Sequence, residues 1–190
     1  MSTMTAESIT ARLADDLDAT FPEVVREVSS DLYSGAYRML GNRQDAEDVA
    51  QEALVRAYRA LSGYDAGRIR DLRLRPWLWT IAANLCRNRL RSRARKRALS
   101  LDDHDPADLG PGPEVVAEWS HLRGELARLL LDLPWPIRAA VVLHHVVGMP
   151  YDEIAVALER PAATVRSDVH RGLARLRAAY VPQEERWPIA

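Results

Sequence analysis

"YDEIAVALERPAATVRSDVHRGLARLRAAY", residues 151 to 180, decides the fold. A short segment with helical spacing, "YDEIAVAL", is followed by the turn "ERPA" and a longer basic segment. Ile154, Ala155, Leu158, Val165, Val169 and Leu173 have the spacing to pack two helices together. A short helix, a tight turn and a longer basic helix spell a helix-turn-helix. The second helix of such a unit enters the major groove and lays its N-terminal residues on base edges. Here those are Thr164, Arg166, Ser167, His170 and Arg171. Arginine at such a position pairs with guanine through two hydrogen bonds, worth about 1–3 kcal/mol of discrimination. Asp168 sits on the same helix. A carboxylate in the groove repels phosphate, so it either accepts from a cytosine amino group or points away.

Outward from this unit, helices are expected from roughly Val115 to Leu131 and from Pro136 to Gly148. Before them lies "LSLDDHDPADLGPGPEVVA", residues 99 to 117, with three prolines, two glycines and mostly acid. That composition reads as a linker. Upstream, apolar residues recur at helical spacing from Pro22 to Leu40: Val25, Val28, Leu32, Ala36, Met39 and Leu40. Gly41 fits the position that ends a helix, and Asn42 can cap the next, with Asp45 three residues on as a weak capping box. That second helix runs to about Leu61. Residues 62 to 76 read as a loop closing on Pro76, and a third helix starts at Trp77 with Leu78, Ile81, Leu85 and Leu90 on its apolar stripe. Read alone, each tryptophan belongs to a core, Trp77 fully and Trp79 half-buried.

No strand is legible, so the fold class expected is all-α: two small helical domains joined by an acidic flexible linker. The expected division is an N-terminal extension over 1–19, a first domain over 20–98, the linker over 99–117, a second domain over 118–182 and a tail over 183–190.

The net charge of −1 conceals a strong asymmetry. Residues 41 to 61 carry most of their acid in the first half, with Asp45, Glu47 and Asp48 there and Glu52 just beyond it. From Arg68 to Arg97 there are ten arginines and one lysine against Asp71 alone. From Leu99 to Glu118 the charge is all acidic. Blocks of opposite sign suggest surfaces for different partners. The basic helix with tryptophans near its start suits single-stranded nucleic acid, where bases stack and phosphates are held electrostatically.

Cys86 is the single cysteine, which excludes a disulfide within the chain and fits a reducing cytoplasm. The N-terminus "MSTMTAESITARLADDLDAT" has no apolar core of signal-peptide length, and no run approaches the ~20 apolar residues of a membrane helix. A cytoplasmic protein without membrane insertion is expected. Cys86 with His144 or His145 is the one conceivable nucleophile and base, or metal set, but neither a nucleophile motif nor a metal-ligand spacing is present. No enzyme activity, cofactor or metal is expected.

The order of parts resembles the sigma-70 superfamily, specifically the compact extracytoplasmic-function (ECF) sigma factors that keep only regions two and four. "DAEDVAQEAL" resembles the first signature of region two, "RPWLWTIAANLCRNRLR" its later part, with Trp77, Leu78, Ile81, Ala82 and Asn84 in the Trp-Leu-x-x-Ile-Ala-x-Asn pattern. "LDLPWPIRAAVVLHHVVGMPYDEIAVALERPAATVRSDVHRGLARLR" resembles region four. The likeness covers roughly residues 20 to 180. Three positions depart from the family pattern: Asn88 where Asp is common, Asp168 where a basic residue is common, and Pro150 in place of a Ser or Thr cap.

The resemblance implies partners. Asp48, Val49, Gln51 and Glu52 match the residues that dock on the clamp helices of the largest subunit of bacterial core RNA polymerase. The flap of the second-largest subunit is implied as a further contact. Asn84 matches the family asparagine near the −10 element, and Trp77, Arg87, Arg91 and Arg95 join it as −10 contacts to melted DNA. Thr164, Arg166, Ser167, His170 and Arg171 are the −35 contacts to duplex DNA. The loop from Ser62 to Arg75 matches the segment that reads a flipped −10 base, and the acidic linker matches the segment that threads the RNA exit path. An anti-sigma factor is also implied. Two rival functions are a stand-alone helix-turn-helix regulator of duplex DNA and an enzyme. The first leaves the acidic helix, the basic helix and the acidic linker without a role.

Overall fold

The structure, a computed structural model, describes residues 6–99 and 117–180. These form α1 (Ala6–Asp15), α2 (Leu17–Leu40), α3 (Arg43–Ser62), α4 (Ala66–Arg70), α5 (Leu74–Leu99), α6 (Ala117–Leu131), α7 (Trp135–His145), α8 (Tyr151–Ala157) and α9 (Ala162–Ala179), with no strand among the described residues. The fold is all-α. The linker expected over 99–117 lies almost wholly outside the described residues.

The turn from α2 to α3 is set locally. Gly41 takes the left-handed conformation, φ 68°, and its N–H donates to the Tyr37 carbonyl at 2.8 Å. Asn42 then accepts from the Asp45 N–H at 2.9 Å and starts α3. The last carbonyls of α2 are satisfied from a distance: Arg138 of α7 donates to Met39 O at 2.7 Å and Arg93 of α5 to Leu40 O at 3.2 Å. Both cations sit where the helix macrodipole is negative.

The N-terminal segment is more than an extension. α1 buries Ile9 and Leu13 in a cluster with Phe21, Val24, Leu61 and Leu78. Thr10 Oγ1 donates to the Arg70 carbonyl at 3.3 Å. α2 starts at Leu17 behind the Asp16 cap, so Pro22 falls inside the helix and removes one ladder donor there. The loop expected over 62–76 contains α4, capped by Asp65, which accepts from the Arg68 N–H at 2.9 Å.

α5 begins earlier than expected, and its buried stripe has a different phase: Leu74, Leu78, Trp79, Ala82, Ala83, Leu85 and Cys86. The two tryptophans therefore exchange the roles expected of them. Trp79 is 3% exposed and packs where α2 offers Gly35, at which any Cβ would collide with the indole ring. Trp77 is half-buried beside Tyr64, ring centres 6.2 Å apart. Helix phase follows the tightest packing contact, here set by the glycine, rather than the nearest apolar residue to the start.

The main core runs through both halves of the chain. Leu32, Met39 and Trp79 from the first half share one cluster with Val142, Ile154 and Val165 from the second. α7 packs on α2, and α8 packs on α5. Within the second half, Gly172 lets α9 approach α7 so closely that a Cβ would strike Val141.

Candidate nucleic-acid interface

α9 separates its faces cleanly. Val165, Asp168, Val169 and Gly172 point inward. Arg166, Ser167, His170 and Arg171 are exposed and Thr164 is half-buried, so the five residues expected to read bases share the outer face. The Arg166 guanidinium lies 5.3 Å from the centre of the Tyr151 ring, which fixes its stem against α8. Asp168 is 2% exposed and turned into the fold, away from the outer face of α9. Arg160, from the turn before α9, donates to one carboxylate oxygen, and Arg171 donates to the other at 2.6 Å. The carboxylate ties the turn to the helix. The turn itself is tight enough that Glu159 adopts φ 53°. Neither Pro150 nor Pro161 supplies a side-chain cap.

The arginines of α5 fall into two groups. Arg89 Nη1 lies 3.0 Å from Asp45 and 3.2 Å from Asp48, and Arg93 Nη2 lies 2.6 Å from Asp45. The acidic start of α3 and the basic face of α5 thus neutralise each other in part, a pairing between helices that the sequence reading did not foresee. Arg91 and Arg95 are exposed and make no ion pair with the described residues. Arg87 donates to Asn84 Oδ1, while its Nε is buried and makes no hydrogen bond among the described residues. Asn84 and Arg87 line a groove of about 370 Å³ whose other wall includes Trp135, Pro136, Glu159 and Arg160.

On α3, Gln51 is exposed, Asp48 is half-buried beside Arg89, and Glu52 pairs with Arg56 at 2.7 Å. Val49 is 1% exposed and belongs to the main core, so its side chain offers nothing to a partner in this arrangement; it supports the helix from beneath. Alternation along one helix turns Val49 inward while Gln51 and Glu52 stay outside.

Cys86 is fully buried, and that burial, with the Asp45 charge second, pushes its thiol up to about 12. His144 Nδ1 sits 2.9 Å from the Met149 carbonyl and its ring stacks on Tyr151 at 4.4 Å, a structural role. Among the described residues no three His, Cys, Asp or Glu side chains gather as metal ligands, and no helix is long and apolar enough to cross a membrane.

An exposed basic outer face on the helix-turn-helix and surplus arginines on α5 are the features expected of a nucleic-acid-binding chain. The chain belongs to the sigma-70 family, in its ECF group of RNA polymerase sigma factors. Sigma-70 region 2 matches residues 24–96 and Sigma-70, region 4 matches residues 123–176. The ECF RNA polymerase sigma factor SigE of Mycolicibacterium smegmatis is 38% identical over 161 residues, 83% of this chain and 60% of that protein. SigW of Bacillus subtilis is 33% identical over 172 residues, 85% of this chain and 89% of its own length. The chain thus spans less than two thirds of the mycobacterial relative and nearly all of the other. Two solved structures share the fold. One is CnrH in complex with the cytosolic domain of CnrY, with TM-score 0.66, 23% identity, and 90% and 94% of the two chains covered. The other is the sigma factor RpoE in complex with the anti-sigma factor NepR from Bartonella quintana, with TM-score 0.69, 22% identity, and 84% and 95% covered.

Proposed function

We propose that this protein binds bacterial core RNA polymerase in the cytoplasm, directs it to promoters and helps melt them. Its residues 118–182 read the −35 duplex through Arg166, Ser167, His170 and Arg171, with Thr164 at the rim. Its residues 20–98 hold the melted −10 strand through Asn84, Arg87, Arg91 and Arg95, with Trp77 available for stacking. Asp48, Gln51 and Glu52 form the docking face for the clamp helices, and the flap of the second-largest subunit takes the other half. The observation that carries this reading is the outer face of α9: polar, exposed and cleared of its one carboxylate by the Arg160–Asp168–Arg171 bridge.

The chemistry required is binding, not catalysis. Extruding a base costs a few kcal/mol of stacking. Phosphate contacts from Arg87, Arg91 and Arg95 and the interactions of the extruded base offset that cost without nucleotide hydrolysis. A protein partner of the anti-sigma class, as in the Bartonella quintana complex, is part of the proposal.

The test is co-elution with core RNA polymerase, followed by transcription of fragmented genomic DNA with the mixture. Binding with new, discrete start sites is expected. Duplex binding by the protein alone, with no association with polymerase, would make it a stand-alone regulator. Within that assay, Gln51→Ala with Glu52→Ala should weaken association while leaving the helical signal intact; unchanged affinity removes the docking assignment.

A further inference from the structure

α4 gives helical order to the segment between α3 and α5, yet it is only five residues long. A single turn does not hold itself in water. Its support comes from α1, the helix that packs on it most closely. Ile69 of α4 is 5% exposed and shares a cluster with Ile9 and Leu13 of α1. At the end of α4 the Arg70 carbonyl is one of the groups a helix terminus leaves over, and Thr10 Oγ1 donates to it at 3.3 Å. Thr10 is 2% exposed, so its hydroxyl serves the fold rather than water. Asp15 holds the Arg70 guanidinium at 2.7 Å. α1 is fixed in its turn, since Thr20 Oγ1 of α2 donates to the Arg12 carbonyl at 3.2 Å.

The outer side of α4 carries the chemistry. The Arg68 guanidinium lies 3.6 Å from the centre of the Tyr64 ring, and that ring lies 6.2 Å from the ring of Trp77. Arg70, Arg73 and Arg75 are paired with Asp15, Asp152 and Glu153, whereas Arg68 makes no ion pair with the described residues. Ile69 is buried and Arg68 exposed, so the apolar contact with α1 and the free cation are adjacent residues of one turn. A shift of α4 on α1 therefore moves Arg68 relative to Trp77. Side chains that bind from a loop depend on the scaffold that holds the loop. Here α1 is that scaffold, and it lies before residue 24, where the match to region 2 begins.

We propose that α1 is a positioning element for base selection in the melted −10 strand: Thr10 and Asp15 hold α4 through Arg70, and α4 holds Arg68 beside Tyr64 and Trp77. This rests on the −10 assignment made above, but the hold on α4 is measurable without polymerase or DNA.

The first measurement is amide hydrogen exchange over residues 64–72 of the full chain. Thr10→Val with Asp15→Asn should speed it about fivefold and leave α2 and α3 unchanged, since one hydrogen bond and one exposed ion pair are lost. Thr10→Ser keeps the hydroxyl and should match the parent. Asp15→Arg with Arg70→Asp should recover the ion-pair share. Asp15→Asn alone, at an exposed position, is the milder variant if the double change disturbs α1. The second measurement uses the complex with core RNA polymerase and four single-stranded −10 oligonucleotides that differ at the extruded base. The double variant should narrow the parent's preference among the four about fivefold, with affinity for a −35 duplex unmoved; a general loss of stability would lower both. Exchange unchanged in the double variant overturns the hold of α1 on α4. Faster exchange with an unchanged base preference overturns the positioning role. A parent with no preference among the four overturns the −10 assignment above and the selection role with it, while exchange still reads the hold of α1 on α4.

Discussion

Asp168 and Arg160 form a part-buried bridge across the turn of the helix-turn-helix: the carboxylate is 2% exposed and the guanidinium donates to it from the far side of Pro161. The bridge keeps the one acid of α9 off its exposed outer face. Removing the acid leaves Arg160, side chain 32% exposed, without its partner. Asp168→Ala should destabilise the protein by about 1–3 kcal/mol, below the range for a fully buried pair because Arg160 and Arg171 are both partly solvated. Urea unfolding checks this, and a loss below about 0.5 kcal/mol would mean that the bridge contributes little.

Arg138 carries a prediction of the same kind. It is 9% exposed and donates to Leu131 O at 2.6 Å, Met39 O at 2.7 Å and Leu133 O at 3.0 Å. Burial lowers its pKa, yet an arginine keeps its charge under these conditions. Arg138→Met removes the guanidinium's hydrogen bonds to three carbonyls and should cost about 3 kcal/mol. Arg138→Lys should recover little, because one ammonium cannot reproduce the planar fork. Thermal melts of both variants against the parent decide it.

The arginines of α5 should separate by assay. Arg89→Ala breaks the contacts to Asp45 and Asp48 and should lower stability by about 1 kcal/mol with little change in the salt dependence of DNA binding. Arg91→Ala should leave stability intact and reduce the salt slope by about 0.7, the share of one phosphate on a single strand. Fluorescence anisotropy across a salt series distinguishes them; equal slopes for both variants would reject the division.

Cys86 sets the behaviour at alkaline pH. The folded protein keeps its thiol protonated up to about 12, whereas an exposed thiol releases its proton near 9.0. The folded state therefore holds more protons between those values. The stability from this group is complete below the ordinary thiol range and declines as pH rises through it, by up to about 1.4 kcal/mol per unit. Cys86→Ala should flatten that decline in urea titrations, and native Cys86 should resist alkylation until the chain unfolds.

The parts legible in the sequence are those written in short-range pattern. Gly41 and Asn42 marked the α2–α3 turn because left-handed backbone and capping are properties of single residues. The inward face of α9 and the outward placement of Arg166, Ser167, His170 and Arg171 followed from helical spacing. One further signal was available: Arg138 is a lone charge in the apolar run "PIRAAVVL", which marks a buried cation needing acceptors.

Tertiary structure alone decided the rest. Trp79 rather than Trp77 entered the core because Gly35, forty-four positions away, left room for its ring. Asp45 chose Arg89 and Arg93, and Asp168 chose Arg160, through the placement of whole helices. The sequence determined the helices, their caps, which faces are apolar and the family to which the chain belongs. It did not determine which charges are consumed within the fold, nor that region four packs on region two. Periodicity fixes the direction of a side chain relative to its own helix, whereas ion pairing and occlusion depend on distances between helices, which only their packing sets.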